Sequence, residues 1–218
     1  MDISVLGISG SPVRHGNVQT FLHHMVKSAG EPVTRREIVS LTDYDLGDCI
    51  HCNFCLKKQK PDRYCSLDDG AQELFTKIEA ADIIILASPV YFMRTSARMA
   101  ALLDRLRVFI FGNEAGGKLK NKIGVSAAVA WARHGGLETT HLAHIQAFMT
   151  LEMIPVSVHH CISPLGASAV ATREGLGLFE KDIRLGVELD QGGLHSGRAM
   201  MRRAVELCEL IRKGTAAC

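Results

Sequence analysis

The chain contains no run approaching the roughly 20 consecutive apolar residues that a membrane-spanning helix needs. Its opening, Met1-Asp2-Ile3-Ser4-Val5-Leu6-Gly7, holds an apolar stretch too short for a secretory leader and an acid where a leader is basic. No block of Lys or Arg stands out. With 25 basic against 23 acidic residues the formal charge is +2, so neither nucleic acid nor a membrane surface finds an electrostatic footprint. Repeats, linkers and low-complexity tracts are also missing. What is left is a globular chain, 47% hydrophobic and 22% charged, expected as a single domain over residues 1–218 in the cytoplasm. In a reducing compartment its seven cysteines point to metal or redox chemistry before disulfides.

The familiar catalytic patterns are absent too. There is no Gly-Lys-Ser/Thr of a Walker loop and no Gly-x-Gly-x-x-Gly of a dinucleotide site. No paired carboxylates or Ser-His-Asp arrangement can be argued from spacing. The catalytic-residue list is therefore empty, and the chemistry is expected to belong to cofactors.

What is present is an alternation of short β-branched runs with longer helical patterns, as in βαβ units around a parallel sheet. Strands are expected at 3–8, 34–40, 82–88, 122–129 and 156–159. Helices are expected at about 17–29, from the Asp68-Asp69 caps to 80, from the Thr95-Ser96 caps to 108, from Gly135-Gly136 to 153, and at 199–213, the last closing the far edge. Residues 41–67 form a long cysteine-rich loop, and a loop of that length inside a domain is usually functional. Residues 161–197 are glycine-rich with little periodicity and read as an irregular insertion or partner-contacting arm.

Ser9-Gly10-Ser11-Pro12-Val13-Arg14-His15-Gly16-Asn17-Val18 lies between the first strand and the first helix, where open α/β sheets bind ligands. Backbone N–H groups at such a helix start converge on phosphate. Ser9, Ser11 and Asn17 add neutral donors, Arg14 a charged one, and Gly10 and Gly16 allow close approach. A mononucleotide phosphate is the better reading of this loop than an ordinary turn. Gly-Ile-Ser-Gly-Ser-Pro-x-Arg-x-Gly-Asn is similar to the opening of the NAD(P)H-dependent FMN reductase group of flavodoxin-like proteins, although their usual next Thr is Val18 here. The resemblance continues at Pro89, Val90, Tyr91, Phe92 and Met93, matching the loop along the isoalloxazine ring. It returns at 130–136, where Ala130, Trp131 and Gly135 fall in the family's second flavin-contacting loop. It implies bound FMN and a flavodoxin-like, doubly wound, five-stranded parallel sheet.

Cys49-x2-Cys52-x2-Cys55-x9-Cys65 is the most specific feature of the chain. The run of three resembles a bacterial ferredoxin's ligand run, whereas structural zinc usually takes two separated pairs. Zinc and free thiols remain alternatives. Set after the second strand, the motif resembles that of the iron–sulfur flavoproteins, with nine residues before the last cysteine as its departure. That resemblance implies a [4Fe–4S] cluster, electron transfer to a redox partner protein or a small acceptor such as a quinone, and a homodimer or homotetramer. A cluster-free NAD(P)H-dependent FMN or quinone reductase and a non-enzymatic electron carrier or redox sensor are the rival readings.

Other residues are read as ordinary. His51 is taken as a loop residue. His141 and His144, three apart on a helix, are expected in solvent, and Asp104 and Arg105 as surface charges. Cys161, Cys208 and Cys218 lack ligand-like spacing.

Overall fold

A computed structural model describes residues 2–216; Cys218 lies outside them. Strands β1 (Ile3–Ser9), β2 (Val33–Ser40), β3 (Ile83–Tyr91), β5 (Ile123–Ala130) and β6 (Ile154–Pro155) run parallel in the spatial order β2-β1-β3-β5-β6. Counted as parallel strands this is the doubly wound order 2-1-3-4-5, which puts a topological switch point between β1 and β3. Two short strands lie off this path. Strand β4 (Arg94–Thr95) turns back on β3 as a hairpin, and β7 (Ala167–Val170) pairs parallel with the end of β5.

The central strands are apolar on both faces because helices cover both. Ile83, Ile85, Val125 and Ala127 join Phe21, Leu22 and Met25 of α1 (Asn17–Ser28) and Met200 and Met201 of α7 (Gln191–Ala216). Ile84 and Leu86 point the other way. They meet Leu74 and Phe75 of α3 (Ala71–Ala80), Met99 and Leu102 of α4 (Ala97–Arg105) and Phe148 of α6 (Leu137–Thr150). Two short helices remain: α2 (Phe54–Lys57) lies within the cysteine segment and carries Cys55, and α5 (Val108–Phe111) follows α4. Each fully buried Ile or Leu in these layers contributes about 1.5–3 kcal/mol. Gly124 shows how tightly β5 and α6 meet: a Cβ there would lie 2.5 Å from the Phe148 ring.

Three expectations need correction. The sheet has seven strands, not five, and its last position is shared by two pieces. Strand β6 pairs with the start of β5 and β7 with its end, while residues 156–159 form no strand. Residues 161–197 are accordingly not an irregular arm throughout: they contain β7 and the first turns of α7. That last helix begins at 191 rather than 199 and packs across a sheet face on α1 and β7, not on the far edge. Among the described residues no helix is long and apolar enough to cross a membrane.

Candidate functional site

Strands β1, β3 and β5 end together on one side of the sheet, and the loops leaving them enclose a cleft of about 390 Å³. Ser11, Arg14, Gly16, Asn17 and Val18 form one part of its wall. Gly10 N–H donates to Ala87 O at 2.8 Å, pinning the first loop to β3. Ser9 is buried beneath, its hydroxyl accepting from Ser11 N–H, and Ser11 Oγ in turn accepts from Val13 N–H at 3.1 Å. Helix α1 starts after Gly16 with no side-chain cap and no acid in its first turn, so its free N–H groups face the loop. Asn17 Oδ1 accepts from Val187 N–H at 3.0 Å, which orients the amide and leaves its NH2 as a donor. Arg14 is engaged elsewhere, 2.7 Å from Asp43. That pair is exposed and worth at most about 1 kcal/mol, so an anion in the cleft competes for the guanidinium at low cost.

Pro89, Val90 and Tyr91 line the next wall, with Val129, Ala130 and Trp131 opposite. Ser88 Oγ accepts from Ser96 N–H at 2.9 Å and anchors the β3–β4 hairpin from below. Phe92 and Met93 form its two-residue turn, both with positive φ, as such turns require. Neither lines the cleft, and Phe92 is 99% exposed. Gly135 also stands behind the wall. Its neighbour Gly136, at φ +106, approaches the hairpin so closely that a Cβ would lie 2.4 Å from Met93 Cα. Thr139 Oγ1 donates to Met93 O, so the second and third loops are fastened to each other. The Trp131 indole N–H donates to Gly177 O at 2.7 Å, which fixes the ring plane at the cleft mouth.

Sequence reasoning missed Ala171, Arg184 and Leu185, which complete the cleft from the 161–197 segment. No periodicity marks them. Arg184 is a second cation on a wall where the spacing pointed only to Arg14.

The four motif cysteines line a single concavity, together with Ile50, Asn53, Leu67, Arg105, Arg107 and Val108. Asn53 adopts a left-handed conformation just before α2, and His51 does likewise within the run. These bends turn the chain around Cys52 and Cys55. Among the described residues no three His, Cys, Asp or Glu side chains converge on a point that one metal ion could occupy.

The electrostatics differ from cysteine to cysteine. Hydrogen bonding with Ser66 Oγ at 2.9 Å, then the Phe54 N–H, holds the Cys52 thiol below its ordinary range, while burial pushes that of Cys55 up. The Arg107 charge favours the thiolate at both. Such thiolates are the ligating form.

Arg105 corrects the expectation of a surface charge. It is 1% exposed at the end of α4, with Nη1 donating to Gly47 O at 2.7 Å and to Asp69 Oδ2 at 2.8 Å, and Nη2 to Asp69 Oδ1 at 3.0 Å. The opposite end of α4 is tied to the cleft: Ser96 Oγ caps the helix by accepting from Met99 N–H and donates to Gly10 O at 2.7 Å. One helix therefore spans the two sites, about 14 Å from Ser96 to Arg105 at 1.5 Å per residue.

His141 and His144 are the second correction. Both are buried rather than solvated. Their Nδ1 atoms share the Ser126 hydroxyl at 2.7 and 2.9 Å, and their Nε2 atoms meet Ser168 at 2.8 Å and Thr95 at 3.2 Å. Burial lowers their pKa values to about 4 and about 3. They are neutral core residues.

Residues 3–166 match the family model for NADPH-dependent FMN reductase. An iron–sulfur flavoprotein of Methanocaldococcus jannaschii is 33% identical over 211 residues, covering 97% of this chain and all of the relative. An iron–sulfur flavoprotein of Archaeoglobus fulgidus is 27% identical over 210 residues, covering 96% of this chain and 98% of the relative. Among solved structures, RosB with a bound 8-demethyl-8-formylriboflavin-5'-phosphate superposes with a TM-score of 0.74 over 97% of this chain and 81% of that one; at 15% identity this likeness speaks for the flavodoxin-like fold alone. The chain belongs to the NADPH-dependent FMN reductase family of flavin-dependent oxidoreductases and, within it, to the iron–sulfur flavoproteins.

Proposed function

We propose that the protein is an electron-transfer oxidoreductase that holds FMN in the cleft at the β1, β3 and β5 ends and a [4Fe–4S] cluster at Cys49, Cys52, Cys55 and Cys65. The observation that carries this reading is the placement of the four cysteines around one concavity, at the far end of a helix whose start is bonded to the cleft's first loop. When bound, FMN supplies one- and two-electron chemistry and the cluster one-electron chemistry.

The chain's own residues do the rest. The uncapped start of α1, Ser11 and the Asn17 amide take the phosphate, with Arg14 and Arg184 as cations in reach. Pro89 to Tyr91 and Val129 to Trp131 form apolar walls around a planar ring and exclude water from it. Ser9, Gly135, Phe92 and Met93 serve by holding or shaping the loops rather than by touching the ligand. Arg105 and Arg107 offset the negative charge of a thiolate-ligated cluster.

The electron partner is a redox protein or a small acceptor such as a quinone. Large apolar side chains exposed on the surface, among them Phe92, Met93, Trp131 and Phe179, support assembly as a homodimer or homotetramer. The free cysteines among the described residues support a reducing, cytoplasmic setting. Anaerobic reductive titration tests the function directly. Three electrons per chain are expected, two entering with the flavin and one with the cluster. A count of two would favour the cluster-free reductase.

A further inference from the structure

Three of the five N–H groups of the Arg105 guanidinium donate to Gly47 and Asp69. Its Nη atoms serve Gly47 and Asp69, and its plane stacks toward the Phe75 ring at 6.0 Å. Its Nε is the one buried side-chain nitrogen or oxygen among the described residues with no hydrogen-bond partner. A buried N–H left unmade is costly, and native proteins rarely keep one without a reason. The guanidinium carrying that atom belongs to the wall of the cysteine concavity. Burial works against its charge, but the Asp69 hydrogen bond and then the neighbouring Cys65 side chain outweigh this and hold it protonated. Asp69 keeps its own negative charge through Arg105 and the N–H groups of Ala71 and Gly47.

A bland reading makes Arg105 a packing residue that joins the 41–67 loop to α4. It explains the two Nη atoms. It leaves the Nε–H and the wall position unexplained, since the rest of that wall is largely apolar apart from Asn53, Arg107 and the thiols.

We propose that Arg105 is a positioning residue for the cluster: its Nε–H, left over by the Asp69 ion pair, is the donor reserved for sulfur at the Cys65 side of the concavity, and that hydrogen bond raises the cluster's reduction potential. The inference rests on the cluster reading above. N–H donors to cluster sulfur favour the more negative, reduced state and are one of the terms that set such potentials. The Asp69 clamp matters because it keeps the guanidinium plane fixed, so the donor is in place before any cluster is. A lysine cannot reproduce this, having neither the fork nor the planar Nε–H.

The test uses the full chain, purified without oxygen with flavin and iron in place. Removing Arg105 alone strands the Asp69 carboxylate, so the informative variant is the double change Asp69→Asn with Arg105→Met, which removes the buried pair together. Arg105→Lys accompanies it, keeping charge while losing the donor. Iron, sulfide, flavin content and melting temperature are measured first, then the cluster midpoint potential by spectroscopically monitored redox titration. With full iron, the double variant is expected to shift the one-electron equilibrium at least tenfold toward the oxidised cluster, a fall of 59 mV or more. Arg105→Lys, which keeps the ion pair with Asp69 and loses the planar donor, is expected to fall in the same direction. An unchanged midpoint in both would overturn the assignment and leave Arg105 a packing residue. Loss of iron with flavin and melting temperature retained supports it, whereas joint loss of iron, flavin and fold overturns it. Absence of iron and sulfide from the wild-type chain itself would sink the cluster reading, and this inference with it.

Discussion

A serine hydroxyl has one proton to give, so Ser126 can donate to only one of the two Nδ1 atoms beside it. His141 and His144 must therefore be opposite tautomers, one bearing its proton on Nδ1 and the other on Nε2. Because their folded pKa values lie below the ordinary 6.5, the unfolded chain binds more protons in mild acid. Stability is thus complete above about pH 6.5. It is lost as pH falls toward 4 and 3, by about 1.4 kcal/mol per pH unit for each histidine. Urea unfolding at pH 7.5 and 5 should show it, with a loss of about 2 kcal/mol per histidine; equal stability at both would contradict the buried neutral pair. Ser126→Ala, which removes the shared partner, is expected to cost about 1–3 kcal/mol at neutral pH. The spacing of these histidines correctly implied a shared face of α6. Which face it was could not be read, since a buried imidazole becomes tolerable only through Ser126, Ser168 and Thr95, three residues from other strands.

At the scale of elements, β1, its loop, β3 and β5 are legible because each carries its signal locally: β-branched runs flanked by glycine, serine and proline. β7 carries none. Its Ala-Ser-Ala-Val is small because α7 presses on it, a Cβ at Gly193 lying 2.7 Å from the Ala169 Cβ. For the same reason α7 begins with glycines that its propensity would forbid: Gly197 leaves room for Met25 and Phe21 of α1. Tertiary contact overrides local preference in both, and the cleft residues Ala171, Arg184 and Leu185 went unseen with them. The same close packing makes Gly124→Ala a probe of the β5–α6 contact. It is expected to destabilise by about 1–3 kcal/mol through overpacking. Adding Phe148→Leu should recover part of that loss in thermal or urea unfolding; no cost from the single change would mean the ring has room to move.

For the molecule as a whole, the cleft at the sheet's switch point and the concavity at the end of α4 are the two proposed cofactor sites, carried by one scaffold. Ligand linkage reads the first. FMN at 100 times its dissociation constant should stabilise the flavin-free protein by about 2.7 kcal/mol, raising its melting temperature in a concentration-dependent way. Riboflavin, lacking the phosphate that the first loop is proposed to hold, should bind more weakly. Equal affinity for the two would remove the phosphate from the account.

The central claim, that both cofactors belong to this chain, is tested most directly by anaerobic purification followed by iron and acid-labile sulfide assays alongside the absorption spectrum. About four irons and four sulfides per chain are expected, as for a [4Fe–4S] centre on four thiolates, together with flavin bands. Flavin without iron or sulfide, after anaerobic reconstitution as well, would contradict it.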